Sequence, residues 1–122
     1  MYKKSIKLKV SVASHCKLMD EASDDFKKLL DNIKISQPET SIIHNISASE
    51  AKNINDLKEN LIQHLTKPVL WSKTMNYIQS FDGIVIECGP GKVLTGLAKS
   101  NGIKNIYTSS SENFFDEIKS AL

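Results

Sequence analysis

Residues 84–107 read IVIECGPGKVLTGLAKSNGIKNIY, and this stretch decides the fold class. The short apolar run at 84–86, bounded by turn residues, predicts a strand that is buried on both faces. A Gly-Pro-Gly turn follows it, and then come a predicted helix at 92–100 and a predicted strand at 103–107. Because a strand, a helix and a strand in this order are typical of parallel pairing, the stretch predicts an α/β fold.

The rest of the chain continues this alternation of strands and helices. Apolar residues alternate with polar ones near the start, and further along they recur at helical spacing. The predicted elements are a strand at 5–13, a helix at 17–33, a strand at 41–46, a helix at 55–66 capped by Asn55-Asp56, a helix with Pro68 in its first turn, and a final helix at 114–122 after a capping region at 109–112.

The composition indicates one domain or part of one, and it excludes several classes of protein. The 122 residues carry a net charge of +2, and every one of the 16 basic residues is Lys, without the basic cluster that predicts nucleic-acid binding. No apolar run is long enough to predict a membrane span, and the Lys-rich start lacks the apolar block of a signal peptide. We therefore expect a cytoplasmic protein that binds neither nucleic acid nor membrane.

The segment Ser14-His15-Cys16 lies where the first predicted strand ends and a helix begins. Catalytic side chains of open α/β sheets gather at this end of the strands, and a His there can act as a general base. The alternative is a His that only caps a loop. Cys16 is a weaker candidate for a nucleophile, because neighbouring side chains of an extended segment point to opposite faces.

The Gly-Pro-Gly turn at 89–91 is a second candidate site. The helix N-terminus that follows it can bind an anion, but the pattern is neither a P-loop nor a dinucleotide fingerprint, so a tight structural turn is favoured. The three His and two Cys residues lack the spacing of a zinc site, and the cysteines predict no disulfide framework. No Gly-x-Ser-x-Gly elbow is present, so a nucleophile for His15 would have to lie elsewhere.

Three ordered segments resemble one enzyme family, the malonyl-CoA:acyl-carrier-protein transacylases. VSVASHCKLM at 10–19 resembles the family's histidine segment, V-S-x-x-S-H-[TCS]-x-L-M. LTKPVLW at 65–71 resembles L-x-x-P-V-x-W, and IECGPGKVLTGL at 86–97 resembles E-x-G-P-G-K-V-L-T-G-L, the most specific of the three. The resemblance extends over essentially the whole chain.

This resemblance implies the carboxy-terminal portion of an α/β-hydrolase-like acyltransferase, a mostly parallel sheet flanked by helices. Residues 1–122 would form part of the large subdomain, with 1–13 as the last strand on the side of the small subdomain. The family's nucleophilic Ser, oxyanion-hole Gln and malonate-binding Arg lie upstream of the histidine segment, and none of them exists here. The absence of Arg from the sequence agrees with this reading, and we expect the chain alone to be inactive.

The resemblance also implies the roles of two residues. His15 would be the general base of Ser-His acyl transfer, and the main-chain carbonyl of His64 would accept a hydrogen bond from His15 Nδ1 and fix the tautomer. The family usually has Gln where this chain has His64. Because any residue supplies a carbonyl, we expect the role to survive the change, and we expect one ring nitrogen of His15 to lie near that carbonyl.

The implied partners are malonyl-CoA, acyl carrier protein and the missing amino-terminal part of the same enzyme, with no cofactor because the CoA thioester is a substrate. Uncovered apolar surface on 84–86 or on the stripe Leu57, Leu61 and Leu65 would also allow the piece to self-associate. Two alternatives remain open. One is a free-standing α/β module that binds a phosphate-bearing ligand at 89–91 without catalysis, and the other is a degraded gene product or partner-dependent half.

Overall fold

A computed structural model of the chain describes residues 12–122. The chain forms two compact units, of which the first ends at Val69 and the second comprises Leu70–Leu122. No helix within the described part is long and apolar enough to cross a membrane. The helices and strands are α1 (Asp20–Asp31), β1 (Ile43–His44), β2 (Ser49–Glu50), α2 (Ile54–Gln63), α3 (Trp71–Ile78), β3 (Val85–Glu87), α4 (Val93–Ser100), β4 (Ile106–Thr108) and α5 (Phe114–Ala121).

The first unit is built on the packing of α1 against α2. Leu30 of α1 and Leu57 of α2 are buried, and Ser23 Oγ of α1 donates a hydrogen bond to the carbonyl of Ile62 in α2 at 3.3 Å. A side-chain cap fixes the start of α2, since Asn53 Oδ1 accepts a hydrogen bond from the amide of Asp56 at 2.9 Å. These contacts hold the end of α2 near the residues that precede α1.

A short hairpin joins α1 to α2. Strands β1 and β2 pair antiparallel, with Ile43 opposite Glu50 and His44 opposite Ser49. The turn between them uses Ala48 in a left-handed conformation, with a φ of 53°. The sequence predicts β1 within 41–46 but does not predict its partner strand, because two residues are too few to show a pattern of alternation.

The second unit contains the parallel pair that the sequence predicts. Strands β3 and β4 pair in parallel, with Glu87 opposite Thr108, and α4 connects them. The α/β class follows from this unit. Its core consists of Met75, Ala98, Ile103 and Ile106, against which Trp71, Ile78 and Val85 are packed.

The prediction of a strand at 84–86 that is buried on both faces is wrong. Strand β3 comprises Val85–Glu87, and Ile86 is 39% exposed. Burial on both faces needs layers of structure on both sides of a sheet, and within the described residues β3 pairs only with β4. The stripe on α2 also differs from its prediction, because Leu57 is buried and Leu61 and Leu65 are half-buried rather than uncovered.

The predicted caps of α2 and α5 and the predicted start of α3 differ from the structure. Asn53, rather than Asn55-Asp56, caps α2. Helix α3 begins at Trp71, so Pro68 precedes the helix and does not lie in its first turn. Helix α5 begins at Phe114 as predicted, but it has Asn113 before it and no side-chain cap, although 109–112 is the predicted capping region. The two capping errors arise because Ser, Asn and Asp favour caps and turns alike.

The predicted strand at 5–13 falls almost entirely outside the described residues. Its last two residues, 12 and 13, are not in a strand. The predicted helix at 17–33 is confirmed as a 3₁₀ turn at Lys17–Met19 followed by α1.

Candidate functional site

His15 is held by two hydrogen bonds to the residues that follow α2. Its backbone amide donates to the carbonyl of Leu65 at 2.9 Å, and its Nδ1 lies 2.8 Å from the carbonyl oxygen of His64. The backbone of His15 is left-handed, with a φ of 59°, which is uncommon for a residue other than Gly. The predicted contact between a ring nitrogen of His15 and the His64 carbonyl is therefore present.

The chain geometry explains why these two carbonyls are free to accept. His64 is the residue at which α2 ends, and the carbonyls of a helix's last turn have no partner within the helix. The end of α2 therefore offers His15 hydrogen-bond acceptors for its backbone amide and for its ring.

The hydrogen bond to His64 fixes the tautomer of neutral His15. A carbonyl oxygen can only accept, so Nδ1 must carry the hydrogen. Nε2 of the neutral ring then carries the lone pair. His15 is thus a base at Nε2, and the ring can take up one proton there without losing its bond to His64.

A cavity of about 150 Å³ opens beside His15. Its lining consists of Ser14, His15, Met19, His64 and Leu65. The side chain of His15 is exposed, and the cavity gives it room for another group. The arrangement is an oriented, accessible base in a concave surface.

The ring of His64 also belongs to this site. The ring centroids of His15 and His64 are 4.9 Å apart and their planes are inclined by 35°. Burial lowers the pKa of His64, and repulsion from His15 and His44 lowers it further. Burial likewise lowers the pKa of His44, although Asp56 opposes the shift. His64 and His44 are therefore neutral imidazoles at neutral pH.

Neither cysteine adds a second reactive group to the site. Cys16 is half-buried, and its Sγ lies 4.0 Å from the carbonyl of Ala13 in its own segment. Cys88 is exposed and lies in the other unit of the chain. Within residues 12–122, no group of three or more His, Cys, Asp or Glu side chains could hold a metal ion.

The carboxylate of Glu87 closes the Gly-Pro-Gly turn. This role is not among the predictions from the sequence. Glu87, at the end of β3, is buried and accepts hydrogen bonds from the amides of Leu94 and Thr95 at 3.0 and 2.7 Å. The Thr95 hydroxyl donates a third at 2.6 Å. This hydroxyl, followed by the two amides, holds the pKa of Glu87 below its usual range although desolvation raises it. Two of the first-turn amides of α4, those of Leu94 and Thr95, are therefore occupied by the protein itself.

Hydroxyl groups at the end of β4 and just after it fix the same turn from the other side. Thr108 and Ser110 both donate to the carbonyl of Gly91, at 2.7 and 2.6 Å, and Ser109 Oγ accepts from the amide of Gly89 at 3.0 Å. Gly89 and Gly91 have φ angles of 133° and 88°, which L side chains rarely adopt. These contacts favour the structural interpretation of the turn.

A sequence signal for Glu87 and Thr95 does exist. An acid at the end of a strand, followed by a Gly-rich turn and a Thr in the first turn of the next helix, is the arrangement in which a carboxylate can reach helix amides. The run Thr108-Ser109-Ser110 offers no comparable signal, because its role depends on the parallel register of β3 and β4.

Several known proteins are similar to this chain. No family model matches the chain. The malonyl CoA-acyl carrier protein transacylase of Haemophilus influenzae is 36% identical over 99 residues, which are 80% of this chain and 31% of that protein. The chain thus spans about a third of the length of the curated relatives it matches.

Solved structures agree with this similarity. The crystal structure of FabD from Acinetobacter baumannii matches 95% of this chain and 38% of its own, with 34% identity and a TM-score of 0.86. A type II PKS acyl-carrier protein in complex with its malonyl-transacylase matches 98% of this chain and 38% of its own, with 29% identity and a TM-score of 0.80. The resemblance to malonyl-CoA:acyl-carrier-protein transacylases and the α/β class are confirmed.

Proposed function

We propose that this chain supplies the general-base histidine, His15, of a malonyl-CoA:acyl-carrier-protein transacylase of fatty acid biosynthesis, as the carboxy-terminal part of that enzyme. The observation that carries the proposal is the 2.8 Å contact between His15 Nδ1 and the His64 carbonyl. This contact leaves Nε2 as the basic nitrogen and places no charged group behind the ring. The three sequence motifs and the similarity to part of the transacylases support the same conclusion.

The proposed reaction has two halves that use His15 in the same way. In the first, Nε2 accepts the proton of a serine hydroxyl supplied by the missing part, while the serine oxygen forms a bond to the thioester carbonyl carbon of malonyl-CoA. The carbon–sulfur bond breaks, and the CoA sulfur takes the proton from Nε2 and leaves as a thiol. In the second half, Nε2 accepts the proton of the acyl-carrier thiol, and the thiol sulfur displaces the serine oxygen, which regains the proton.

The side chains in the sequence show which groups of the proposed reaction this chain could supply and which the other part of the enzyme would supply. The chain offers a base, His15, and an orienting carbonyl at His64, and it has neither the serine elbow nor any Arg to bind a malonyl carboxylate. The chain alone is therefore inactive under this proposal. Residues 1–122 act as part of the large subdomain in the cytoplasm, and the remaining part of the enzyme is their partner.

Exposed apolar side chains support the need for that partner. Helix α4 leaves Val93 72% exposed, and Leu94 and Leu97 are each 45% exposed. These three positions lie along one side of a helix, since residues three and four apart are neighbours. Such a stripe is costly in water, and the missing part of the enzyme, or a second copy of the chain, would cover it.

The alternative of a phosphate-binding module is weakened by Glu87. A phosphate at the start of α4 would need the amides of Leu94 and Thr95, and both already donate to the Glu87 carboxylate. A second negative charge beside that carboxylate would also be repelled. Titration calorimetry of the chain with CoA is expected to give no binding at 89–91.

A chimera tests the proposed function directly. The matching third of the Haemophilus influenzae transacylase is replaced by this chain, and malonyl transfer from malonyl-CoA to acyl carrier protein is measured. We expect transfer that depends on His15. A folded chimera that transfers malonyl equally well with His15→Ala would overturn the proposal.

A further inference from the structure

We propose that the ring of His64, and not only its carbonyl, is a positioning element for His15. This inference rests on the proposed function of His15 as a base. It concerns the side chain of His64, whereas the role predicted from the sequence belongs to the His64 carbonyl alone. The ring centroids of the two histidines lie 4.9 Å apart, within the range of aromatic ring contacts. His64 therefore meets His15 at two points, through its oxygen and through its ring.

Two contacts constrain the imidazole of His15 more than one does. A single hydrogen bond from Nδ1 leaves an exposed ring free to turn about the N–H···O direction and does little to stop that bond from opening. A second ring packed at an inclination of 35° opposes that rotation and so holds the plane in which Nε2 points. Because the side chain of His15 is exposed, few other neighbours can supply this constraint.

The hydrogen-bonding state of His64 favours a packing role for its ring. Its Nε2 is buried and has no hydrogen-bond partner within the described residues. A buried polar atom without a partner costs free energy, and within the described residues this ring contacts His15 by packing and makes no hydrogen bond through Nε2. The ring is also neutral near neutral pH, because burial and the neighbouring histidines lower the pKa of His64. Ring packing therefore places no second cation beside His15.

The ring also forms part of the cavity wall. His15, His64 and Leu65 all line the space of about 150 Å³ into which an acyl donor would have to reach. A side chain that packs on the base and lines this space limits the directions from which another group can approach the base. The ring of His64 thus shapes the volume next to the basic nitrogen as well as its direction.

The experiment measures the tautomer of His15 in the full 122-residue chain. The chain has only three histidines, so a sample labelled with ¹⁵N in histidine gives a simple ring-nitrogen spectrum. In the wild-type chain we expect His15 to show a protonated Nδ1 and a bare Nε2, together with a nuclear Overhauser contact between the rings of His15 and His64. Absence of that ring contact would overturn the proposal without any variant.

Three variants separate the ring from the carbonyl, which all of them retain. His64→Phe keeps a ring and is expected to keep the single tautomer of His15. His64→Leu removes the ring at similar bulk, so the exposed imidazole of His15 should leave the His64 carbonyl more often and lose the single-tautomer signature, giving a mixture of both neutral forms. Leu65→Ala also disturbs the cavity wall and serves as the matched control, which should keep the wild-type signature. Dispersion of the amide spectrum identifies folded samples, and His64→Met replaces His64→Leu if the latter does not fold.

The results for these variants show whether the ring of His64, or only its carbonyl, positions His15. A single tautomer in folded His64→Leu or His64→Met would show that the carbonyl suffices, and the proposal would be rejected. Equal loss in His64→Phe, or equal loss in Leu65→Ala, would show a general loosening of the site and would also reject it. Because no substrate or transfer is involved, the proposed function can fail in the chimera while this result stands, and the reverse also holds.

Discussion

Two turns of this chain lead into helices and are built in opposite ways. The turn at 89–91 is closed, because a buried carboxylate, Glu87, accepts three hydrogen bonds from the first turn of α4. The turn at His15 is open, because the imidazole is exposed beside a cavity and only Nδ1 is held. The first uses its polar group entirely for the fold, whereas the second leaves a basic nitrogen available for chemistry.

The backbone conformations sharpen this contrast. Both turns need left-handed residues, and the closed turn uses glycine at positions 89 and 91, where that conformation carries no steric cost. The open turn uses His15 at a φ of 59°, and a left-handed conformation costs a residue other than Gly about 1–2 kcal/mol. The hydrogen bonds to His64 and Leu65 offset that cost. Strain of this kind often marks a functional position, and here it falls at the open turn.

The largest expected effect is on activity at the open turn. In the chimera, His15→Ala should lower malonyl transfer by roughly 10²–10⁴-fold, which is the usual contribution of general-base catalysis. Its thermal midpoint should fall by only a few degrees, because the exposed side chain contributes a single hydrogen bond, to the His64 carbonyl. Transfer assays and thermal melts on the same samples give the comparison. A loss of folding that matches the loss of transfer would assign His15 to the fold instead.

The second effect is on stability at the closed turn. Glu87→Gln removes the charge that accepts from the Thr95 hydroxyl and from the Thr95 and Leu94 amides, so the thermal midpoint of the chain should fall by several degrees. Circular dichroism on heating measures the change. Glu112→Gln, at an exposed glutamate, is the matched control and should leave the midpoint unchanged. An unchanged midpoint in Glu87→Gln would mean that the turn is not held by this carboxylate.

The third effect is a difference between the two units of the chain in how their stability depends on pH. The pKa values of His44 and His64 lie below the ordinary 6.5, so the unfolded chain binds protons first and the first unit loses stability as the pH falls below about 6.5. The pKa of Glu87 lies below 4.5, so the second unit keeps its stability to about pH 4.5 and loses it as the pH falls further.

Hydrogen exchange at a series of pH values assigns the loss to each unit. Amides of α2 should lose protection before those of α4 as the pH is lowered. His44→Phe should flatten the first loss, since it removes one of the two buried imidazoles. Simultaneous loss in both helices, unchanged by His44→Phe, would contradict the assignment.

The smallest effect is expected from two opposite substitutions at left-handed positions. One replaces a glycine and the other introduces a glycine. Gly91→Ala meets no atom within 4 Å of the added Cβ, so it should cost only the left-handed penalty, about 1–2 kcal/mol. His15→Gly should be more stable than His15→Ala by about the same amount, for the same reason. Urea denaturation measures both differences. Equal stability of His15→Gly and His15→Ala would show that His15 carries no conformational strain.

The sequence predicts the closed turn and the open turn to different extents. The motif around His15 and the segment before Trp71 lead to the His15–His64 contact, which the 2.8 Å distance confirms, while the role of the contact stays a proposal. The motif at 86–97 predicts the strand, the turn and the helix, but not the use of Glu87. The acid at the end of the strand and the Thr after the turn indicate that such hydrogen bonds can form, whereas which amides donate to Glu87 depends on where α4 starts.

The remaining differences concern burial and pairing. The apolar run 84–86 predicts burial on both faces, and Ile86 is exposed because burial depends on neighbours that a local run of residues does not specify. The pairing of Ser49–Glu50 with Ile43–His44 is too short to leave a periodic signal. The ring contact of His64 has no sequence signal either, since it depends on the left-handed conformation of His15.

His64 lies directly at the carboxyl end of α2, and this position has a consequence for how activity changes on heating. Helix ends fray at temperatures at which the rest of a domain is still folded. Both carbonyls that hold His15 come from this end of α2, so fraying there releases the base before the chain melts. In the chimera, activity on heating should therefore decline reversibly below the thermal midpoint, and the difference between the two temperatures would report the local stability of a single helical turn.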